Sequence, residues 1–366
     1  MARPLPAARQ APPRSAQRPT PLAALAAGLL CGATAHASVP PQDMAACAAL
    51  AEDAQRLSCY DRVMGREQPR HVPQAAPAST AATPPERPAP QQPASALARR
   101  WGLAGAAPIE PFTIQPHRQN YLLPWARTNA VNTQPYQPTL DALAAAGLIP
   151  PTTMPLEATE ARFQLSLKVK LVPDLVPGRA DLWLGYTQQS AWQVYNRDVS
   201  SPFRNTDHTP ELMLAWRTDM TLGAWRWPLV TLGLVHQSNG QTKPLSRSWN
   251  RVYADFAVER GDLSLSLRPW HRLKESAEKD DNPDIGKTMG HGDVTATYQW
   301  GPHQFGALLR RNFSSGRGAT QLDWSFPLAG PLRGYVQLFS GYGYNLLDYN
   351  HRQTTGGLGI ILTDRL

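Results

Sequence analysis

The stretch "HQSNGQTKPLSRSWNR" at residues 236–251 contains a histidine, a serine and an asparagine that could form a hydrolytic site. His236 and Ser238 are two residues apart, so in an extended strand both side chains project from the same face. A histidine that takes the hydroxyl proton activates serine as a nucleophile, and its second nitrogen then needs an orienting partner. Asn250 offers such a partner through its amide oxygen. These residues predict acyl transfer by a Ser-His-Asn triad.

The proposed orienting residue is neutral, so it stabilises an imidazolium less than an aspartate would. We therefore expect a further group to stabilise the transition state, and a bound cation suits that role. A His-x-Ser spacing alone is more often a solvated polar cluster at the end of a strand. The matching phase of Asn250 on the next strand favours the hydrolytic interpretation.

The elements around this stretch have the alternation of half-buried strands. In "RFQLSLKVKL" (162–171), apolar residues alternate with polar or charged ones, which is a period of two. Similar stretches follow as far as "TGGLGIIL", and with "NYLLPWART" at the front they make twelve candidate strands. The connections alternate as well. Short ones near 174–178, 220–223, 261, 301–302 and 328–331 alternate with mostly long ones, including 128–160, 194–207, 239–247 and 274–290.

This pattern predicts an all-β fold, a twelve-stranded antiparallel transmembrane β-barrel of the bacterial outer membrane. Closure of the sheet satisfies every backbone group, as a lipid environment requires. A soluble β-sandwich or a lipocalin-like barrel is the alternative. The number of strands and the charged residues on the inward phase argue against both.

The phase of the strands predicts where the triad points. His236 and Ser238 continue the phase of Leu232 and Leu234, and Asn250 shares that of Val252. In a membrane barrel the apolar phase faces lipid. The triad should therefore face the bilayer at the outer head-group level, where a lipid substrate would be found.

The N-terminal third is organised differently. The apolar run at 21–35 follows four arginines and ends in Ala35-His36-Ala37, which predicts a signal peptide at 1–37. Its removal would lower the net charge from +8 to about +4, so nucleic-acid binding is not expected. A short helical segment (38–65), a disordered Pro/Ala-rich linker (66–110) and the barrel domain (111–366) follow.

The helical segment contains Cys47 and Cys59. In one continuous helix the two would be about 18 Å apart, too far to bond. A helical hairpin would permit a disulfide, which an oxidising compartment favours over two free thiols.

Five segments resemble the outer-membrane phospholipase A family of Gram-negative bacteria. They are "YTQQSAWQ" (186–193), "SSPFRNTDHTPEL", "HQSNGQTKPLSRSWNR", "DDNPDI" (280–285) and "SGYGYNLLDYN" (340–350). They occur in order over roughly residues 110–366. The resemblance implies calcium-dependent hydrolysis of acyl ester bonds of phospholipids and lysophospholipids by a homodimer in the outer membrane.

By the same resemblance, Ser238 is the nucleophile, His236 the base and Asn250 the orienting residue. The Ca²⁺ ligands fall on Gln241 (through its backbone carbonyl), Ser246 and Asp281, with Ser200 from the partner barrel. Gln188 resembles a residue that bonds its twin across the dimer. Lys243 departs from the pattern, because an aspartate is expected there for a secondary calcium site.

Two other classes of protein stay open at this point. One is a non-catalytic barrel or channel that keeps the scaffold, although inward residues such as Arg251, Tyr253 and Asp255 would fill the lumen. The other is a secreted soluble esterase, which would need something to bury the second face of its strands.

Overall fold

The computed structural model describes residues 41–63, 94–103 and 106–363. The predicted signal peptide and most of the predicted linker lie outside these residues. Two compact units divide between residues 86 and 87. No helix of the described chain is both long enough and apolar enough to cross a membrane.

The first unit contains two helices, α1 (Pro41–Ala48) and α2 (Asp53–Val63), which contact each other. The four residues between them turn the chain back, so that Cys47 and Cys59 come within 5.5 Å between Cα atoms. The two cysteines form the predicted disulfide. Helices that are too short to be stable alone are thereby joined covalently.

The second unit is built from strands. A two-residue strand, β1 (Gln115–Pro116), precedes twelve longer ones. These are β2 (Asn120–Thr128), β3 (Thr159–Val176), β4 (Ala180–Trp192), β5 (Phe203–Leu222), β6 (Trp225–Ser238), β7 (Ser248–Arg260), β8 (Leu263–Leu273), β9 (Gly292–Trp300), β10 (His303–Arg311), β11 (Gly318–Ala329), β12 (Leu332–Tyr342) and β13 (Arg352–Thr363).

Each of the twelve strands pairs antiparallel with its neighbour in sequence, and β13 pairs with β2. The ring therefore closes, and the prediction of a twelve-stranded antiparallel barrel is confirmed. β1 lies beside β3, with Gln115 opposite Lys168. Closure leaves no edge among the twelve long strands, which is how a barrel satisfies its backbone groups.

Short and long connections separate the two ends of the barrel. Four of the short turns contain two residues, and each has a glycine at φ between +53° and +59°: Gly223, Gly261, Gly301 and Gly330. Glycine adopts this left-handed conformation without steric cost, so these tight turns form readily. We call this end the turn rim. The opposite end, the loop rim, holds the connections 129–158, 193–202, 239–247, 274–291, 312–317 and 343–351.

The loop connections contain two helices and two 3₁₀ turns. They are α4 (Gln137–Ala145), α5 (Ile285–Met289) and the 3₁₀ turns Gln134–Tyr136 and Arg197–Val199. Asp348 joins its own loop, 343–351, to loop 129–158 and to strand β5. It is buried and accepts hydrogen bonds from Arg204 (2.9 Å) and Asn132 (3.0 Å), while Arg204 also pairs with Glu160.

The two faces of the barrel wall differ as the alternation predicted. Leucines at outward positions, such as Leu165, Leu234 and Leu338, are about half exposed. Inward positions are polar or aromatic: Glu211 accepts bonds from Arg118 and Tyr253, and Asp255 pairs with Arg268. Apolar surface of this kind around a closed sheet matches a lipid environment.

A short helix lies inside the lumen near the turn rim. α3 (Ala96–Trp101) begins after Ser95, whose Oγ accepts from the Ala98 N–H, and ends at Gly102 in the left-handed conformation. Leu97 and Trp101 pack with inward side chains of the wall, including Trp183. Sequence patterns assigned residues 66–110 to a disordered linker. In the structure, residues 94–103 are folded inside the barrel because Leu97 and Trp101 bury apolar surface there.

Candidate active site

His236 and Asn250 lie directly opposite each other on the antiparallel strands β6 and β7. Their side chains leave the same face of the sheet, and His236 Nδ1 is 2.8 Å from Asn250 Oδ1. An amide oxygen can only accept, so Nδ1 bears the hydrogen and Nε2 is left as a base. The structure therefore brings these two predicted site residues together on one face.

Ser238 lies two residues beyond His236, at the end of β6, and is half-buried. Their positions on one strand face place the two Cα atoms about 7 Å apart. Within the described residues no hydrogen bond joins them, a looseness that is common before a substrate binds. Ser238 is flanked by Ser248 on β7 and by His208 on β5. Sequence reasoning missed His208, which bonds the Tyr186 hydroxyl at 2.7 Å.

The orientation of the Asn250 amide is fixed from its other side. Its Nδ2 donates to Glu275 Oε1 at 2.7 Å. A carboxylate accepts but does not donate, so the amide nitrogen must face Glu275 and the oxygen must face His236. Glu275 follows Leu273, the register partner of Asn250, by two residues. Sequence reasoning missed Glu275, because β8 ends at Leu273 and alternation no longer fixes the direction of a side chain beyond that point.

The triad residues face outward from the barrel. His236 is exposed, and Ser238 and Asn250 are half-buried. An open apolar groove of about 670 Å³ lies on the outer wall next to them. Its lining includes Leu212, Leu232, Leu234, Val252 and His271. On the outward face of β6 and β7, Leu234 and Val252 are the next residues after His236 and Asn250 in the direction of the turn rim.

Two loops bring predicted metal ligands together beside the triad. Ser246, in loop 239–247, donates from Oγ to Asp281 Oδ2 at 2.5 Å. The Ser248 N–H donates to Asn282 Oδ1 at 2.9 Å, which fixes the second loop to the start of β7. Asp284 accepts from the Tyr349 hydroxyl at 2.6 Å, and burial together with this bond raises the pKa of Tyr349. The segment "DDNPD" (280–284) therefore connects its own loop to loop 239–247, to the start of β7 and to loop 343–351.

The oxygen donors of Ser246 and Asp281 suit a hard cation such as Ca²⁺. In the described chain, no three His, Cys, Asp or Glu side chains form a metal cluster, so any site must use neutral oxygens too. Gln241 lies in the same loop as Ser246. Ser200 is in loop 193–202, and no hydrogen bond among the described residues joins it to the other three predicted ligands.

Lys243 occupies the space next to the predicted ligands. Its Nζ is 3.4 Å from Asp281 Oδ1 and donates to the Glu278 carbonyl at 2.9 Å. The ammonium thus bonds the carboxylate whose other oxygen is held by Ser246. A cation added here would share Asp281 with a positive charge that the chain already supplies.

Comparison with known proteins identifies the family. The phospholipase A1 family model matches residues 97–362. The chain belongs to the phospholipase A1 family. Members of this enzyme family are carboxylic ester hydrolases, and the barrel is that of an outer-membrane protein.

Three relatives show how far the similarity extends. Escherichia coli phospholipase A1 is 36% identical over 254 residues, which are 69% of this chain and 83% of that protein. A Neisseria meningitidis protein, provisionally named phospholipase A1, is 41% identical, and the match spans 69% of this chain and 65% of that protein, just under two thirds. The third, from Klebsiella pneumoniae and also named phospholipase A1, is 35% identical over 69% of this chain and 84% of that protein.

Solved structures agree with the sequence relatives. The Escherichia coli outer membrane phospholipase A has a TM-score of 0.63 at 35% identity, covering 70% of this chain and 94% of that one. The Salmonella typhi outer membrane phospholipase, described as a dimer with bound calcium, also scores 0.63, at 34% identity, covering 70% of this chain and 95% of that one.

Proposed function

We propose that this phospholipase A1 family member hydrolyses acyl ester bonds of phospholipids and lysophospholipids at the outer surface of the outer membrane. The hydrolytic groups are Ser238, His236 and Asn250, and the active form is a calcium-dependent homodimer. The observation that carries the proposal is the 2.8 Å bond between His236 and Asn250 on the outward face of the barrel, beside Ser238.

The chemistry follows from the tautomer of His236. Its Nε2 takes the proton of Ser238 as Oγ attacks the acyl carbonyl, and then returns that proton to the departing glycerol oxygen. Water next attacks the acyl-serine and gives a proton to Nε2, which returns it to Oγ as the fatty acid leaves. General base catalysis of this kind contributes about 10² to 10⁴ in rate.

The surroundings of the triad match a lipid substrate. The apolar groove lined by Leu234 and Val252 can hold an acyl chain along the wall, while the ester reaches Ser238. A substrate that approaches within the bilayer keeps its acyl chain out of water throughout, so no apolar surface has to be exposed for the ester to reach Ser238. A soluble ester would gain nothing from this placement. Helix α3 and the inward charged and aromatic side chains obstruct the lumen, which argues against a channel.

Ca²⁺ is the proposed cofactor. The Ser246 hydroxyl, the Gln241 backbone carbonyl and the Asp281 carboxylate would hold it, with Ser200 of the partner subunit as a further ligand. The bond between Ser246 and Asp281 supports this donor set, because it gathers two hard oxygen ligands in one place. When bound, the cation supplies positive charge for the oxyanion. A site with one carboxylate binds weakly, which suits a calcium-rich exterior.

Lysophosphatidylcholine in detergent micelles tests the proposal. With calcium, the wild-type protein should release fatty acid, and the chelator EGTA should stop the reaction. Ser238→Ala should lower kcat by about a thousandfold or more, because no other group replaces the nucleophile. Fatty-acid release measured by titration reports both effects.

Ser248→Ala is the matched control, because Ser248 is the register neighbour of Ser238 on the same face. It should hydrolyse the substrate like the wild type. Full activity of Ser238→Ala would remove the proposal. Ion conductance through planar bilayers without any hydrolysis would identify a channel that keeps the scaffold.

A further inference from the structure

Glu275 lies behind the triad, and among the described residues no hydrogen bond joins it to His236 or Ser238. Its Oε1 accepts from Asn250 Nδ2 at 2.7 Å, and Asn250 Oδ1 is in turn 2.8 Å from His236 Nδ1. Three side chains, Glu275, Asn250 and His236, therefore form one hydrogen-bonded row from the carboxylate to the imidazole, and Ser238 lies two residues beyond His236 on β6. Glu275 belongs to loop 274–291, whereas the triad belongs to β6 and β7.

The charge of Glu275 is not neutralised by a neighbouring side chain. In the described part of the chain no lysine or arginine forms an ion pair with it. Its second oxygen, Oε2, is buried and has no protein hydrogen-bond partner. A half-buried carboxylate without a cation keeps its negative charge available to the group it does bond.

An amide transmits that charge. Donation from Nδ2 to a carboxylate polarises the amide, and this polarisation makes Oδ1 a stronger acceptor for the Nδ1 proton. The bond also prevents the amide from turning its nitrogen toward His236. A neutral asparagine with a carboxylate behind it thus resembles the aspartate of a Ser-His-Asp triad more closely than asparagine alone does.

We propose that Glu275 is a positioning residue of the hydrolytic site, which holds Asn250 with its oxygen toward His236 and supplies, through that amide, the negative charge that stabilises the imidazolium. The proposal rests on the proposed function of the triad and adds a fourth group to it.

Two glutamate-to-glutamine substitutions test the role of the carboxylate. Glu275→Gln keeps the shape and removes the charge, and it should lower kcat on lysophosphatidylcholine roughly tenfold, the effect of a unit charge about 7 Å away at a half-exposed site. KM should not change, because the carboxylate acts on the imidazolium, which forms only after the lipid has bound. Glu278→Gln, in the same exposed loop, is the matched control and should leave kcat unchanged.

Adding Asn250→Asp to Glu275→Gln should restore kcat to within a few-fold of the wild type, because the glutamine amide introduced at position 275 can donate to the new carboxylate. Asn250→Asp alone should be less active than the double variant, since it places two carboxylates in contact. A double variant whose loss is the product of the two single losses would overturn the proposal, as would a Glu275→Gln variant with wild-type kcat.

NMR of the histidine ring tests the positioning without any turnover. In protein labelled with ¹⁵N-histidine, a slowly exchanging Nδ1–H signal of His236, assigned by its loss in His236→Phe, should be present in the wild type. It should persist in Glu275→Gln and disappear in Glu275→Ala, where the amide can rotate. An unchanged signal in Glu275→Ala would contradict the proposal, and an inactive wild type with this pattern would contradict only the lipase assignment.

Discussion

Among the described residues, the His236 imidazole has one hydrogen-bond partner, Asn250, and that bond determines which of its nitrogens can act. With Nδ1 committed to Asn250, only Nε2 can exchange protons with Ser238. The amide is in turn fixed by Glu275. Each residue of the hydrogen-bonded row Glu275–Asn250–His236 therefore limits the next to one orientation. A substitution at any of them should change the reactivity of Ser238.

At the same scale, Lys243 should weaken calcium binding. Its ammonium bonds Asp281, one of the proposed ligands, so a divalent cation must share that carboxylate. Lys243→Met should therefore tighten Ca²⁺ binding by about three- to tenfold at low ionic strength, since like charges repel most when salt does not screen them. Isothermal titration calorimetry in detergent measures the affinity directly.

Lys279→Met removes the same charge from the same exposed loop and is the control. It should change the affinity much less, because no contact joins the Lys279 side chain to Asp281 within the described residues. An affinity that is unchanged or weaker in Lys243→Met would show that the ammonium does not compete with calcium.

The shared outward face of His236, Ser238 and Asn250 could be predicted from sequence, and the position of Glu275 could not, for a physical reason. His236, Ser238 and Asn250 lie in strands, where a period of two fixes the face of every side chain. Glu275 follows the end of β8, where the regular strand ends and alternation no longer fixes direction. The same limit applies to Ser246 and Asp281, whose contact depends on how two loops fold.

At the scale of elements, the loop rim is held together by buried charges. Asp348, Arg204 and Glu160 join loop 343–351 to β5 and β3. Burial alone would raise the pKa of Asp348, but the Arg204 guanidinium and the hydrogen bonds from Asn132 and Asn345 lower it below its usual range. The loops next to the triad therefore depend on an ionised carboxylate.

Asp348→Asn should lower the free energy of unfolding by about 3 kcal/mol at neutral pH, because it leaves Arg204 partly unpaired in a buried position. A lowered pKa adds stability above the usual carboxyl pKa of about 3.9, and that stability is lost as the pH falls through the folded value. Guanidinium titrations in lipid vesicles at several pH values measure both effects.

The difference in the free energy of unfolding between the wild type and Asp348→Asn should begin to shrink near pH 4 and decrease further below it. Asp198→Asn, in an exposed turn of the same rim, is the control and should change stability by less than about 0.5 kcal/mol. A difference that grows as the pH falls would reverse the assigned sign.

The composition of its segment did not predict the lumen helix α3. Proline and alanine dominate the segment before the barrel, and this composition predicted a disordered linker throughout. Yet Ser95 and Gly102 are ordinary helix caps, and Leu97 and Trp101 are spaced one turn apart. The local signals for α3 were present. The position of the helix inside the barrel could not be predicted, because Trp183, which Trp101 contacts, is about 80 residues away in sequence.

At the scale of the whole molecule, the outward face contains a candidate contact between the two barrels of the proposed dimer. Gln188 lies on the lipid-facing phase of β4 and donates from Nε2 to Ser190 at 3.2 Å. An amide in hydrocarbon is costly unless its remaining groups are paired, and a second copy of the same residue can pair with it. Ser200, the ligand proposed to come from the partner subunit, lies in the loop that follows the same strand.

Gln188→Leu should therefore reduce dimer formation. After sulfonylation of the active site, the cross-linked dimer fraction should fall by about three- to tenfold relative to the wild type, the usual worth of a polar contact between membrane segments. Thr320→Val makes a similar change on β11, on the opposite wall, and should leave the fraction unchanged. An equal dimer fraction in Gln188→Leu would place the interface elsewhere.

The closed sheet separates the triad from everything inside the barrel. Ser238 is on the outward face, so in the proposed reaction the water that releases the fatty acid would not arrive through the wall and would come down from the head groups. That water competes for space with the lipids themselves. Turnover is thereby linked to how well the membrane surface is hydrated and how loosely its lipids pack, so a disturbed outer leaflet supplies the enzyme with both of its reactants at once.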